Sequence, residues 1–200
     1  MSEHWNQVYA AKGDDEVSWF EAEPSTSLEL LDVLGVTPAE SLIDVGGGRA
    51  TLVDRLHERG FADLSVLDLS SEALAQVRAR PGLTEVATIA ADVTRWRPER
   101  HYDVWHDRAV LHFVTPEKVE HYARVLREAL APTGAVVIGV FSPDGPESCS
   151  GLAVTRYGAD DLVQLLGDGF RVIDQRRVVH VTPWQSAQSF QWIAARRHEA

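Results

Sequence analysis

One stretch constrains this chain more than any other: Asp44-Val45-Gly46-Gly47-Gly48-Arg49-Ala50, at the end of the apolar run Ser41-Leu42-Ile43-Asp44-Val45. Consecutive glycines let the backbone turn sharply with no side chain in the way. Leu52 to Arg59 then carries apolar residues at helical spacing and closes at Gly60. The segment therefore reads as strand, tight turn and helix, with the helix's free amides aimed at whatever lies over the turn. The pattern repeats. Leu64 to Asp68 reads as a strand, Ser71 to Arg80 as a helix capped by Ser70 or Ser71, and Pro81-Gly82 as a break. Val86 to Ala90 and Tyr102 to His106 are two further strands, and a helix from about Pro116 to Leu130 follows the second. Pro132-Thr133-Gly134 turns into Ala135 to Phe141, the most apolar run. Ahead of all this, Ser27 to Leu34 has helical spacing and Gly35 to stop it.

Apolar strands alternating with helices imply an α/β fold with a mostly parallel sheet covered on both faces. The tail departs from that rhythm. Phe170 to Val181 and Ser189 to Ala194 are strand-like, and Thr182-Pro183-Trp184-Gln185 between them is too short for a crossover helix, so these two should pair antiparallel. With 44% hydrophobic residues in 200, one continuous core is expected. The expected organisation is a helical lead-in over 1–40, a ligand-binding core over 41–141, and a loop with antiparallel strands over 142–200.

A net charge of -11 argues against broad binding to nucleic acid or anionic lipid, which rely on clustered Lys and Arg. Cys149 is the only cysteine, so neither an internal disulfide nor a cysteine metal cluster can form, and no metal is expected. Met1 to Phe20 lacks the layout of a secretion signal, and no stretch reaches membrane-spanning length. A cytoplasmic protein with no membrane or nucleic-acid partner is the expectation.

In open parallel sheets, ligands bind at the carboxyl ends of the strands, where strand order reverses. Asp44, Asp68 and Asp92 fall at or just after the ends of three consecutive strands. A nicotinamide dinucleotide would call for Gly-x-Gly-x-x-Gly or Ala, but the spacing here gives Gly46, Gly48 and Thr51. An acid two residues before the first glycine is awkward beside a pyrophosphate and suits a ligand carrying ammonium and sulfonium charges. Asp68 is placed to accept from ribose hydroxyls. Asp92 can accept from an exocyclic amine such as that of adenine, with the Val93 amide facing the ring. Any one of these acids could be a cap or turn residue; their regular placement points to a site.

Asp44-x-Gly46-x-Gly48-x-Ala50, Asp68, Asp92 and the late fifth strand resemble the ordered motifs of class I S-adenosylmethionine (SAM)-dependent methyltransferases over about Leu42 to Phe141. Ala50 stands where many members have a third glycine. The resemblance implies a Rossmann-like, doubly wound sheet of seven strands, mostly parallel with the last antiparallel. It implies S-adenosyl-L-methionine as cofactor, held by Trp19, Asp44, Gly46, Gly47, Gly48, Asp68, Leu69, Asp92, Val93 and His106. The opening, with Trp5, Tyr9 and Trp19, is similar to the Trp-rich openings of thiopurine S-methyltransferases and elongation-factor-type lysine methyltransferases. That similarity implies a lid over the cofactor; the same rings could equally staple the segment to the core. Trp105-His106-Asp107-Arg108-Ala109 resembles the Trp-Asp-Arg stretch of thiopurine methyltransferases with one residue inserted. The Asp-Lys-Gly or Asn-Pro-Pro-Phe type sequences of the lysine enzymes are not found there.

In this fold class, Trp105 to Phe113 would lie beside the transferable methyl group. In-line displacement at a sulfonium asks the protein mainly to position and desolvate the pair, worth on the order of 7–11 kcal/mol; a general base is optional. His106 is the candidate base or substrate orienter. Asp107 and Arg108 either hold a polar acceptor or pair with each other and fix the loop. His112 is expected to be packed or solvent-facing. Arg156 and Tyr157 are possible substrate contacts, Cys149 is not expected to act as a nucleophile, and His180, Trp184 and Gln188 read as structural. The expected function is methyl transfer to a small-molecule S, N or O acceptor. The alternatives are a protein lysine methyltransferase, a SAM-binding module without turnover, and a dinucleotide-dependent enzyme.

Overall fold

The computed structural model describes residues 1–11, 13 and 16–198. Two helices, α1 (Ser2–Ala11) and α2 (Ser25–Val33), precede the sheet. The alternating part runs β1 (Leu42–Val45), α3 (Leu52–Glu58), β2 (Leu64–Asp68), α4 (Ser71–Arg78), β3 (Ala87–Ala90), β4 (Tyr102–Arg108), α5 (Val119–Ala129) and β5 (Leu130–Phe141). A small hairpin, β6 (Ser148–Cys149) with β7 (Leu152–Ala153), then α6 (Ala159–Leu166), β8 (Phe170–Val181) and β9 (Ala187–Arg197) complete it.

The seven-stranded sheet has the order β3-β2-β1-β4-β5-β9-β8. Pairs among β1 to β5 are parallel, whereas β9 is antiparallel to both β5 and β8. The final strand thus inserts between β5 and β8, as an antiparallel pair joined by a short turn requires. Strand order reverses between β1 and β4, which opens a crevice at their carboxyl ends.

Both sheet faces are covered, and the alternation of side chains decides what meets what. Leu42, Val66, Val104 and Val137 face α2, α3 and α4. Ile43, Leu67, Trp105 and Ile138 face α5 and α6. Every residue of β1 and β2 is buried, the signature of central parallel strands. Within the same period-two rule, Asp44, His106 and Arg108 fall on the α2 face, while Asp107 falls on the α5 face.

Several features differ from the sequence expectation: β5 begins at Leu130, so Pro132-Thr133-Gly134 lies within the strand rather than ahead of it, and the β6–β7 hairpin is additional. The helix before β5 begins as a 3-10 turn over Pro116–Lys118 and becomes α-helical only at Val119. Helix α6 was not anticipated; two acids in its first turn and the Asp161 carboxylate on the Gly158 amide (2.7 Å) start it, and its apolar stripe packs Leu162 and Leu166 into the core.

Candidate active site

Two adjoining cavities occupy the crevice. The lining of the first includes Asp68, Leu69, Asp92, Val93, Phe113 and Cys149. The second lies against the glycine turn, with Asp44, Gly47 and His106 in its wall. Trp19, Gly46 and Arg108 belong to both.

The turn itself is built for close approach. Gly46 and Gly48 have φ of +67° and +42°, where L side chains are strained. A Cβ on Gly46 would lie 1.9 Å from Val110 Cγ2, and one on Gly48 would lie 2.5 Å from the Tyr9 hydroxyl and 3.0 Å from Asp68 Oδ2. Asp68 accepts from the Ser70 amide at 2.7 Å. Burial pushes its carboxyl up to about 6, against hydrogen bonds from the Ser70, Gly48 and Leu69 amides. Asp92 takes the Thr94 amide (2.9 Å) and hydroxyl (2.7 Å) on one oxygen, Oδ1. Asp44 takes His106 Nδ1 on Oδ1 at 2.7 Å, while among the described residues no donor reaches its buried Oδ2. A buried carboxylate oxygen without a donor is costly, and a ligand cation is one way to satisfy it.

A roof of aromatic rings covers the crevice. Trp5 packs edge-on to Trp19 (5.8 Å) and Phe113 (5.1 Å), and Tyr9 to Trp19 (6.2 Å). Helix α1 is tied down where the Ser70 hydroxyl, which also caps α4, meets Asn6 Oδ1 at 2.7 Å. These rings line the first cavity and also fasten the opening segment to the core.

The residues expected beside the methyl group separate. His106 lies beneath the glycine turn, 2% exposed, with Nδ1 on Asp44 and Nε2 2.9 Å from the Ser27 hydroxyl of α2. Both ring nitrogens are engaged within the fold. Asp107 and Arg108 do not pair, because neighbours on a strand project to opposite faces. Asp107 accepts from Tyr122 (2.6 Å) and from the amides of Val110 and Leu111, fixing the turn after β4; burial raises its carboxyl to about 6. Arg108 donates to the Trp19 carbonyl at 2.7 Å and lies 2.9 Å from Glu21. Ala109, next along, has φ +72°, a strained conformation in the wall of the crevice. His112 is packed, stacked on Phe141 at 4.4 Å, and burial depresses it to about 3. Arg156 pairs with Glu147 at 3.1 Å, and Tyr157 is buried against the α5 face.

Glu21 and His180 were not singled out for the site from sequence. Glu21 lines the second cavity, and His180 reaches it from β8, with Nδ1 3.3 Å from Glu21 and Nε2 donating to the Ser18 carbonyl at 2.7 Å. Nothing local in sequence marks either residue, since each partner is distant along the chain.

A reversal-point crevice with a glycine turn and three strand-end acids defines a Rossmann-like nucleoside-binding class. Residues 42–134, a little under half of the chain, match the family model for a methyltransferase domain. The chain is 25% identical over 141 residues to the eEF1A lysine and N-terminal methyltransferase of Mus musculus, covering 68% of this chain and 20% of that protein. It thus spans about a fifth of the length of that relative. Among solved structures, a SAM-dependent methyltransferase from Anabaena variabilis superposes with a TM-score of 0.78 at 17% identity, covering 98% of this chain and 93% of that one. The 1,6-didemethyltoxoflavin-N1-methyltransferase of Burkholderia thailandensis, with 1,6-didemethyltoxoflavin and S-adenosylhomocysteine bound, gives 0.72 at 22% identity, covering 99% and 84%. Both likenesses bear on the fold. No helix among the described residues is long and apolar enough to cross a membrane.

Proposed function

We propose that this chain holds SAM across the β1–β4 reversal point and transfers its methyl group to a small-molecule sulfur, nitrogen or oxygen acceptor. The observation that carries the reading is the first cavity: Asp68, Asp92, Phe113 and Cys149 share its lining with the packed rings of Trp5, Tyr9 and Trp19. An acceptor that fits beneath such a roof is small, with apolar area to bury against the rings.

In this reading Asp68 accepts from the ribose hydroxyls and Asp92 Oδ2 from the adenine amine. Asp44, in the wall of the second cavity, would compensate the ammonium group, and the glycine turn would admit the methionyl end. When bound, SAM would supply a methyl on a sulfonium that leaves as a neutral thioether, an acceptor proton being lost to solvent, so the protein would need chiefly to align the pair and desolvate it. His106 holds Asp44 in place rather than meeting the reacting atom, Asp107 fixes the turn after β4, and Arg108 faces the crevice.

Calorimetric titration with SAM, S-adenosylhomocysteine and NADH tests the cofactor. Micromolar binding of the first two alone is expected, and binding of NADH alone would sink the reading. Incubation with tritiated SAM and separate small-molecule and protein fractions tests the acceptor. Label should appear in small molecules. The likeness to the mouse enzyme, whose name specifies lysine and N-terminal methylation, favours a protein acceptor instead, and a labelled protein band would support that second reading.

A further inference from the structure

We propose that Glu21 and His180 are positioning residues for this site, clamping Arg108 and the Trp19 segment into the wall that cofactor and acceptor share. The proposal rests on the SAM reading above.

Four contacts close a loop. Arg108, at the end of β4, donates to the carbonyl of Trp19 at 2.7 Å, and His180, near the end of β8, donates to the adjacent carbonyl of Ser18 at 2.7 Å. Glu21 Oε1 bridges the two side chains, 2.9 Å from Arg108 Nη2 and 3.3 Å from His180 Nδ1. Two strands separated by β5 and β9 thus grip one short segment by consecutive carbonyls. The side chains of Arg108, Glu21 and His180 are 11%, 21% and 8% exposed, so water competes weakly for these bonds. Phe190 of β9 backs both side chains: the Arg108 guanidinium lies over its ring at 5.5 Å, and His180 meets it edge-on at 6.2 Å.

The chemistry of the partners fixes the donors. A carbonyl can only accept, so His180 Nε2 is the donor to Ser18, and Nδ1 is the ring atom turned to Glu21 Oε1. Glu21 thus lies between the Arg108 guanidinium and the His180 ring. Burial works to raise Glu21's carboxyl, but the hydrogen bond from His180 and the charge of Arg108 outweigh it and hold the group below its ordinary value.

The clamp differs from ordinary packing in where it ends. Glu21 is itself in the wall of the second cavity, and Arg108 and Trp19 are in the walls of both. Trp19 in turn sets the rings of Trp5 and Tyr9. Loss of the clamp frees the roof while the sheet beneath it, held by strand ladders, stays intact.

Purified wild type and the variants His180→Leu, His180→Gln and Glu21→Gln are titrated with S-adenosylhomocysteine, and each is melted without ligand. His180→Leu is expected to bind about tenfold more weakly, the scale of one lost charge-assisted hydrogen bond. His180→Gln, whose amide can donate twice, should recover most of that loss at a similar melting temperature. Glu21→Gln should weaken binding too, and the double variant His180→Leu/Glu21→Gln should lose less than the sum of the singles. Wild-type affinity in His180→Leu, or equal weakness in Leu and Gln variants, would overturn the proposal. Were His180→Leu to misfold, wild-type affinity in Glu21→Gln would overturn it as well. Failure of wild type itself to bind S-adenosylhomocysteine would instead remove the SAM reading, and this proposal with it.

Discussion

The two halves of the crevice are assembled in opposite ways. At the ends of β2 and β3, each acid is held mainly by its own loop: Asp68 by the amides of the next two residues, with one more from Gly48 in the neighbouring turn, and Asp92 by the amide and hydroxyl two residues on. Past β4, the contacts join distant parts of the chain. Arg108 reaches Trp19 across 89 positions, Ser18 meets Cys149 across 131, and His180 reaches Ser18 across 162. The first half is a local property of strand and turn. The second exists only once the sheet has brought β8 beside the lead-in. A locally built cofactor end should be rigid and sensitive to single changes, whereas an acceptor end made of long-range contacts can be rebuilt without disturbing it.

The sharpest test of where this boundary falls is Asp107, which neighbours Arg108 but faces away from the crevice. Asp107→Ala strands the Tyr122 hydroxyl and the amides of Val110 and Leu111. The expected loss is about 3 kcal/mol of stability, because buried donors are left unpaired. Thermal or urea unfolding would measure it. Affinity of the folded protein for S-adenosylhomocysteine should hold within about twofold, since Asp107 is assigned no ligand contact; a loss comparable to that of Asp68→Ala would move the boundary and place Asp107 in the site.

Next in size is Asp68→Ala itself. Removing a charged acceptor of two ribose hydroxyls should weaken S-adenosylhomocysteine binding by about 1.5–3 kcal/mol, well over tenfold. In the absence of ligand the variant should lose less stability than Asp107→Ala: the Ser70, Gly48 and Leu69 amides lose their acceptor, but they border the crevice, where water can replace it. Unchanged affinity by calorimetry would break the cofactor half of the comparison.

This difference in construction also decides what could be read from sequence. Strand, turn and helix around Gly46 to Gly48, the acids at 44, 68 and 92, and the antiparallel tail follow from period, turn chemistry and connection length, all local rules. The position of His106 does not. Its cross-strand partner is Asp44, and whether its ring faces the crevice or α2 depends on the register of β4 against β1. The same uncertainty of one residue separates Asp107 from Arg108: alternation says that they diverge, but only the register says which of them meets Trp19. For Glu21 and His180 there was no local signal, since an acid in a loop and a histidine near a strand end are unremarkable until the fold brings them to 3.3 Å. Helix α6, by contrast, is missing from the sequence reading although Asp160-Asp161-Leu162-Val163-Gln164-Leu165-Leu166 carries a local signal, two acids before an amphipathic run.

The smallest effect is a pH dependence that should belong to the cofactor half. Burial raises the Asp68 carboxyl from 3.8 to about 6. A raised acid favours the fold most when protonated, so its contribution to ligand-free stability is fully present below pH 3.8 and is lost as pH rises through about 6. Asp107 is raised into the same range, so the melting curve of wild type alone cannot assign the effect. Ligand affinity can, because the ribose hydroxyls need the ionised carboxylate and Asp107 faces the other side of the sheet. One pH unit below its midpoint about a tenth of Asp68 is ionised, so affinity for S-adenosylhomocysteine should rise about tenfold, some 1.4 kcal/mol, between pH 5 and 7. The slope should vanish in Asp68→Asn, which cannot ionise, and persist in His180→Gln. A flat wild-type profile would mean that the ribose does not meet Asp68 as a carboxylate, and a slope that survives Asp68→Asn would shift the titrating group elsewhere in the crevice.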